Sequence, residues 1–372
     1  IKNNDIELTP LKQGMTNDSF IFSINNERYI IRVPGVNTEK IINRYQEFEV
    51  YQAIKDEAFV EPVVYIDRDK GYKISKFIEN SHTVNPKDIL IRHIGERSVT
   101  PYETLQKAAD TTRCIHIAYV AEGYTEAEMA NFIEDCRTAN EALFAHEPFK
   151  SLRQRFNVVA VKSPSMESGT SEPSKGIWKN TALHSHFDTF YSDRYLTTLH
   201  LKDLHDWLAG TPYEHIIVLV NTEKYGGGGI LNSYNLSMVR NPYFKPVVVH
   251  EFGHSFAGLG DEYAYEKEQI NMYPTDVEPW EPNLTTLVDF HGKWENLINK
   301  KTPVPTPQPA DLDKANARHD KWKVGAYEPA GYSQHGVYRA YPDCRMRTNM
   351  HPEFCPACNL GLTKLIKFYT GE

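Results

Sequence analysis

The chain predicts an α/β fold over residues 88–372, preceded by a small α+β lobe over residues 1–87. Three observations predict it. Past residue 112, short apolar runs of strand type alternate with stretches of helical spacing, the pattern of a sheet with helices packed upon it. Before residue 88 the order is hairpin, helix, hairpin. No internal repeat joins the two regions, and residues 302–309, rich in proline, read as a surface connector.

The elements follow in order. Residues 20–24 and 28–34 flank Asn25-Asn26 as two strands flank a tight turn. Residues 39–54 carry Ile42, Tyr45, Phe48 and Tyr51 at helical spacing, and residues 63–66 and 72–78 form a second hairpin around Asp67-Arg68-Asp69-Lys70-Gly71. Residues 88–94 are strand-like. Residues 112–120 open the larger region as a buried strand, and 125–144 continue as a helix with Thr125 as N-cap and Glu126 and Glu128 at its positive end. A strand over 156–161, a polar loop over 162–175 and a helix over 196–208 come next. Residues 215–221 form an apolar strand. The run Gly226-Gly227-Gly228-Gly229 then lets backbone approach a ligand or a neighbouring helix closely, or serves only as a flexible loop.

The chemistry is concentrated in His250-Glu251-Phe252-Gly253-His254. On a helix His250 and His254 stand one turn apart on one face, so both rings can converge on one ion, and Glu251 borders that face within reach of a water held there. Lys245-Pro246 suits the first turn, Val247-Val248-Val249 gives a buried approach, and Gly258 and Gly260 stop the helix. This is the pattern of a zinc hydrolase. Hydrolytic zinc takes three protein ligands, and a glycine turn brings the residue three positions beyond it back to the metal. Gly258 stands one residue later than the pattern requires, and strict counting from His250 falls on Gly260, which cannot bind; counted from Gly258 the residue is Asp261, with Glu262 as its rival and a supporting role for the pair as the alternative. The expected assignment is therefore Zn2+ on His250, His254 and Asp261, with Glu251 as general base. Met346 is the candidate for a methionine turn beneath the metal, ahead of Met350, and Tyr263 or a later tyrosine is a candidate donor to a developing oxyanion.

Composition narrows the class. A formal charge of −8, with no basic run interleaved with aromatics, excludes nonspecific nucleic-acid binding. No apolar stretch is long enough to span a bilayer, and no signal peptide is visible; the start at Ile1 suggests a trimmed chain and leaves a removed leader open. The sequence does not specify an oligomeric state. Five cysteines, Cys114, Cys136, Cys344, Cys355 and Cys358, leave an odd count. A disulfide from Cys344 to one of Cys355 and Cys358, or free thiols, is the preferred reading; a small structural zinc site on Cys344, Cys355 and Cys358 with His351 nearby is the alternative, but a single CxxC signals it weakly.

The run from His250 to Tyr263 resembles the signature of the M64 metallopeptidases, the family named for an immunoglobulin A peptidase. Residues 180–194, Tyr225 to Ile230, Cys344-Arg345-Met346-Arg347 and Phe354-Cys355-Pro356-Ala357-Cys358 are similar to further landmarks of that family, so the resemblance covers residues 88–372. It implies a metzincin-like zinc metalloendopeptidase acting on protein or peptide, secreted, periplasmic or at the cell surface. The alternatives are a zinc amidase of non-protein substrate and a noncatalytic or regulatory protein.

Residues 1–87 belong to a different pattern. Gly14 to Phe20, Tyr29 to Gly35 and Ile42 to Glu47 resemble the amino-terminal lobe of choline kinases and aminoglycoside phosphotransferases, a kinase-like small lobe. That resemblance implies Arg32 as the phosphate-contacting base and Glu47 as its helix partner. The catalytic loop and metal-binding aspartate of such enzymes have no counterpart after Asp88, so no phosphotransfer is expected. Two resemblances that meet within a few residues and imply different compartments lead to the expectation of a composite chain.

Overall fold

The computed structural model describes residues 6–11, 17–35, 38, 42–56, 61–79, 99–264, 272–310, 312 and 321–372. The chain divides into two units, Ile1–Pro86 and Lys87–Glu372. The strand expected over residues 88–94 lies outside the described residues, as do Gly14, Met15 and Thr16.

In the first unit β1 (Thr9–Pro10), β2 (Asn17–Ile24), β3 (Glu27–Pro34), β4 (Val63–Ile66) and β5 (Lys73–Lys76) form one antiparallel sheet in the order β1-β2-β3-β5-β4. Asn25 and Asn26 both take positive φ, 50° and 66°, as a two-residue turn matched to the twist of its strands requires. Helix α1 (Arg44–Ile54) is shorter than the expected 39–54: Ile42 and Asn43 are not helical, and the Asn43 side chain accepts from the Gln46 amide at 3.1 Å. A capping asparagine favours extended backbone and so sets the start at Arg44. The packing inside this unit is polar. Lys73 Nζ lies 2.5 Å from Glu61 Oε1, Ser75 donates to Glu61 at 2.8 Å, and Tyr51 donates to it as well.

The second unit is built on a six-stranded sheet of β6 (Tyr102–Gln106), β7 (Ile115–Glu122), β8 (Phe156–Val161), β9 (His215–Val220), β10 (Gly227–Ile230) and β11 (Tyr234–Met238), ordered β10-β11-β9-β7-β8-β6. Its four central strands run parallel, and β10 and β6 are antiparallel edges. Both faces are covered, so the strands are apolar on both sides. Along β7, Ile115, Ile117, Tyr119 and Ala121 enter one core, while Ala118 and Val120 enter the other. Helices α2 (Met129–Leu143), α4 (Phe244–Ala257) and α5 (Pro356–Thr370) contribute to the first core through Phe132, Val248 and Leu362; α3 (Leu201–Trp207) contributes Leu204 to the second.

Two helical expectations change. The segment 125–144 begins as a 3-10 turn, Glu126–Glu128, whose reciprocal box with Thr125 precedes α2. The helix expected over 196–208 starts only at Leu201, because the preceding residues are used in extended contacts: Thr197 pairs with His186, and the Leu196 amide donates to Gly227.

Candidate metal centre and cleft

Helix α4 is buried nearly all round, through Phe244, Val247, Val248, Val249, Phe252 and Phe256, and ends where Gly258 takes φ 60°. That left-handed residue turns the chain sharply, and a Cβ there would strike Trp280 at 2.4 Å, so the turn requires glycine on both counts. The turned chain brings Asp261 back to the helix face carrying His250 and His254. Asp261 Oδ1 lies 3.1 Å from His250 Nε2 and 3.3 Å from His254 Nε2, and the two Nε2 atoms are 3.1 Å apart. The expected Asp261, His250 and His254 are therefore together. The rival, Glu262, faces away from them: its Oε1 lies 3.4 Å from Cys358 Sγ. Adjacent residues of an extended chain point to opposite sides, which separates the two carboxylates.

Two backbone carbonyls orient the rings. His250 Nδ1 donates to Arg345 O at 2.9 Å, and His254 Nδ1 to Leu259 O at 2.5 Å. With their protons so placed, neutral imidazoles turn both Nε2 lone pairs toward Asp261 Oδ1, which has no hydrogen-bond partner. Burial opposes charge on His254, but Asp261 beside it more than compensates and pushes its pKa up to about 9. Burial likewise opposes ionisation of Asp261, and the two histidines hold its carboxyl well below the ordinary range. Positive charge is what this arrangement calls for, from a proton on His254 or from a metal ion in its place.

These groups line a cleft of about 660 Å³, together with Arg194, Tyr195, Tyr225 and the Gly226 to Gly229 run. Gly227, Gly228 and Gly229 belong to edge strand β10 and are dictated by packing: a Cβ at Gly227 would lie 2.6 Å from Glu251 Oε1, and one at Gly229 would lie 2.7 Å from His254 Cβ. Glu251 opens onto the cleft wall. Loss of hydration raises its pKa above the ordinary carboxylate value, although the neighbouring histidines pull the other way. Met346 is wholly buried beneath α4, its sulfur 2.8 Å from where a Gly253 side chain would begin, whereas Met350 is exposed.

Sequence reasoning missed Tyr332. Its hydroxyl donates to Asp261 Oδ2, holding the carboxylate in place, and one tyrosine among 22 carries no signal of that. The Tyr263 hydroxyl is engaged with Tyr332 in turn. Among the described residues two other groups of ligand-type side chains come together: Glu262 with Cys344, Cys355 and Cys358, and the more exposed His184, His200 and Asp203. All five cysteines are free, which agrees with the free-thiol half of the expectation and not with the disulfide.

The family model of the IgA peptidase M64 family matches residues 104–321, more than half of the chain. The chain belongs to that family. Its membership makes it a metallopeptidase at family level, and the match covers α4 and Asp261 but stops short of Met346 and α5. The first unit's resemblance is of another kind. Protein LicA of Haemophilus influenzae is 33% identical over 73 residues, 19% of this chain and 21% of LicA, so the chain spans about a fifth of that relative's length. Choline kinase LicA from Streptococcus pneumoniae is 29% identical over 22% of this chain and 31% of that one, with a TM-score of 0.20. Metalloproteinase-II from Bacteroides fragilis covers 70% of each chain at 16% identity and a TM-score of 0.22, a likeness too slight to carry an inference. Arg32, expected to pair with Glu47, instead meets Glu61 at 3.2 Å, while Glu47 pairs with Arg44. No described helix is long and apolar enough to cross a membrane.

Proposed function

We propose that the second unit is a metzincin-like zinc endopeptidase that hydrolyses protein or peptide substrates outside the cytoplasm. One observation carries this reading: two Nε2 lone pairs and an unpartnered carboxylate oxygen converge within 3.3 Å, with both Nδ1 protons already committed to carbonyls. The three atoms sit together only with positive charge among them, and a metal ion that displaces the proton of His254 supplies it to all three at once. Two imidazoles and a carboxylate suit zinc and leave a fourth position free. His250, His254 and Asp261 would hold the ion, which supplies Lewis acidity and a lowered pKa for water.

The remaining work falls to the chain's own groups. Glu251, its pKa raised by the dry wall it occupies, takes a proton from the attacking water and delivers it to the leaving amine. Tyr332 keeps Asp261 oriented, and the Arg345 and Leu259 carbonyls keep both rings in the tautomer that presents Nε2. The glycine edge of β10 lies along the cleft with no side chain between an extended peptide and Glu251. The test is cleavage of a fluorogenic peptide library by the purified chain. Cleavage that is lost on chelation, restored by zinc and lost in Glu251→Ala with zinc still bound supports the reading; Glu251→Ala cleaving at the parental rate overturns it.

A further inference from the structure

On the far side of the 261–262 step from the cleft, four side chains from three segments meet in the core. Glu262 and Cys358 have no exposed surface, nor has Cys344, and Cys355 is 1% exposed. Cys344 Sγ lies 3.7 Å from Cys358 Sγ, and Cys355 Sγ lies 3.5 Å from it. Glu262 Oε1 is 3.4 Å from Cys358 Sγ and 3.8 Å from Cys355 Sγ, and every pair among the four ligand atoms falls within 4.8 Å.

We propose that Glu262, Cys344, Cys355 and Cys358 form a second metal centre, a closed zinc site of three thiolates and one carboxylate that fixes the floor of the cleft. The spacing fits. Around a tetrahedral zinc with bonds of about 2.3 Å to sulfur and about 2.0 Å to oxygen, the S–S edge is about 3.8 Å and the S–O edge about 3.5 Å. A disulfide would need sulfurs about 2.05 Å apart and would leave one thiol and the carboxylate unmatched.

The surroundings point to the same ligand. Glu262 Oε2 is buried without a hydrogen-bond partner, an expensive state for a carboxylate that no cation attends. Backbone amides already face the sulfurs: Met346 N and Cys355 N approach Cys344 Sγ at 3.4 and 3.3 Å, and Cys358 N approaches Cys355 Sγ at 3.5 Å. Asn283 donates to Glu262 Oε1 at 2.9 Å and fixes that carboxylate. Cys355 caps α5 and Cys358 lies in its first turn, where the helix dipole favours negative charge. Soft thiolates select zinc over calcium or magnesium, and four protein ligands leave no position open, so the site is structural.

Its influence on the cleft, which rests on the function proposed above, runs through two short links. The Glu262 amide donates to Met346 O, and His250 Nδ1 donates to Arg345 O, so the segment anchored by Cys344 positions both the exit segment bearing Asp261 and the ring of His250.

The experiment is elemental analysis and cobalt substitution of the purified full chain, alongside His254→Ala and Cys358→Ser. About two zinc ions per chain are expected, falling to about one in His254→Ala. Cobalt-loaded His254→Ala should keep a thiolate-to-cobalt charge-transfer band, because only the cysteine centre supplies sulfur, and Cys358→Ser should weaken that band. A folded, cobalt-loaded parent with no such band, or one whose three thiols all react freely with a thiol reagent, overturns the proposal. Failure of the peptidase reading looks different: the band stays while cleavage is absent from the parent. His254→Ala keeps the proposal falsifiable where Cys358→Ser does not fold.

Discussion

The two units of this chain reach stability by opposite means. Among the described residues of the first unit, Phe22 is the one buried apolar side chain, and the packed interior is a polar network of Glu61, Lys73, Tyr51 and Ser75. The second unit buries apolar side chains on both faces of its sheet and still encloses acidic groups, among them Glu122, held by Thr181, Leu183 and Ser185, and the adjacent Asp261 and Glu262. A sheet and one helix that enclose almost no apolar core form a lobe shaped by hydrogen bonds and ion pairs, whereas a sheet clad on both sides can hold strained, dehydrated groups. The candidate site lies in the second kind of interior, and the largest test of the contrast is catalytic.

Glu251→Ala should slow peptide cleavage about a thousandfold with zinc content unchanged, while Arg32→Ala in the first unit should leave the rate within about twofold. Steady-state kinetics on both variants measures it. Comparable losses would break the contrast by making the first unit part of the catalytic apparatus.

Stability gives the next largest difference. Phe149 has no exposed surface and packs edge-on or tilted against Phe144, Phe156, Phe252, Phe256 and Phe354. Phe149→Ala should cost about 3–5 kcal/mol in urea unfolding, against about 2 kcal/mol or less for Phe22→Ala, whose ring stacks on half-buried Tyr29. Equal costs would mean the first unit has a core after all.

What could be read in the sequence follows the same division. His250, Glu251 and His254 were legible because helical periodicity alone fixes their relative positions, and Asp261 because it lies three residues past Gly258, although strict counting from His250 falls one residue short of it. Glu262 was not legible. Its partners Cys344, Cys355 and Cys358 lie some ninety residues downstream, and no local spacing shows that an acidic residue so far back closes a group that a lone CxxC leaves incomplete. Tyr332 was hidden for the same reason. The start of α1 was legible in principle, since Asn43 precedes Gln46 in a capping arrangement, but the apolar pattern extends past the cap and masked it. The shortened α3 was not, because the pairing of Thr197 with His186 and the Leu196 bond to Gly227 are tertiary contacts.

A smaller effect should come from the strand that lines the cleft. Gly227→Ala puts a methyl group 2.6 Å from Glu251 Oε1, so either the strand or the carboxylate must move. Displacement on that scale should lower kcat/KM between about tenfold and a hundredfold without unfolding the chain. Gly292→Ala, where a Cβ meets no atom within 4 Å, is the control and should leave kcat/KM unchanged. If both variants cleave normally, the close approach of β10 to α4 has no bearing on catalysis.

The finest distinction is in pH. His215, packed among Phe252, Phe256 and Tyr369 with its Nε2 unpartnered, is held by burial to a pKa of about 4. The unfolded chain therefore binds a proton that the folded second unit refuses, and stability is lost as pH falls from the ordinary histidine value of about 6.5 toward 4. In the first unit burial would raise the Glu61 pKa, but hydrogen bonds from Lys73, Tyr51 and Ser75 outweigh it and bring the carboxyl to about 2. Its contribution is present above the ordinary carboxylate value of about 4.3 and lost as pH falls toward 2. Acid should thus weaken the apolar unit before the ionic one, the reverse of what their compositions suggest. Urea midpoints of the two units between pH 7 and 3 would show it, with His215→Phe removing the early loss and Glu61→Gln the late one; a first unit that weakens already at pH 6 would count against this order.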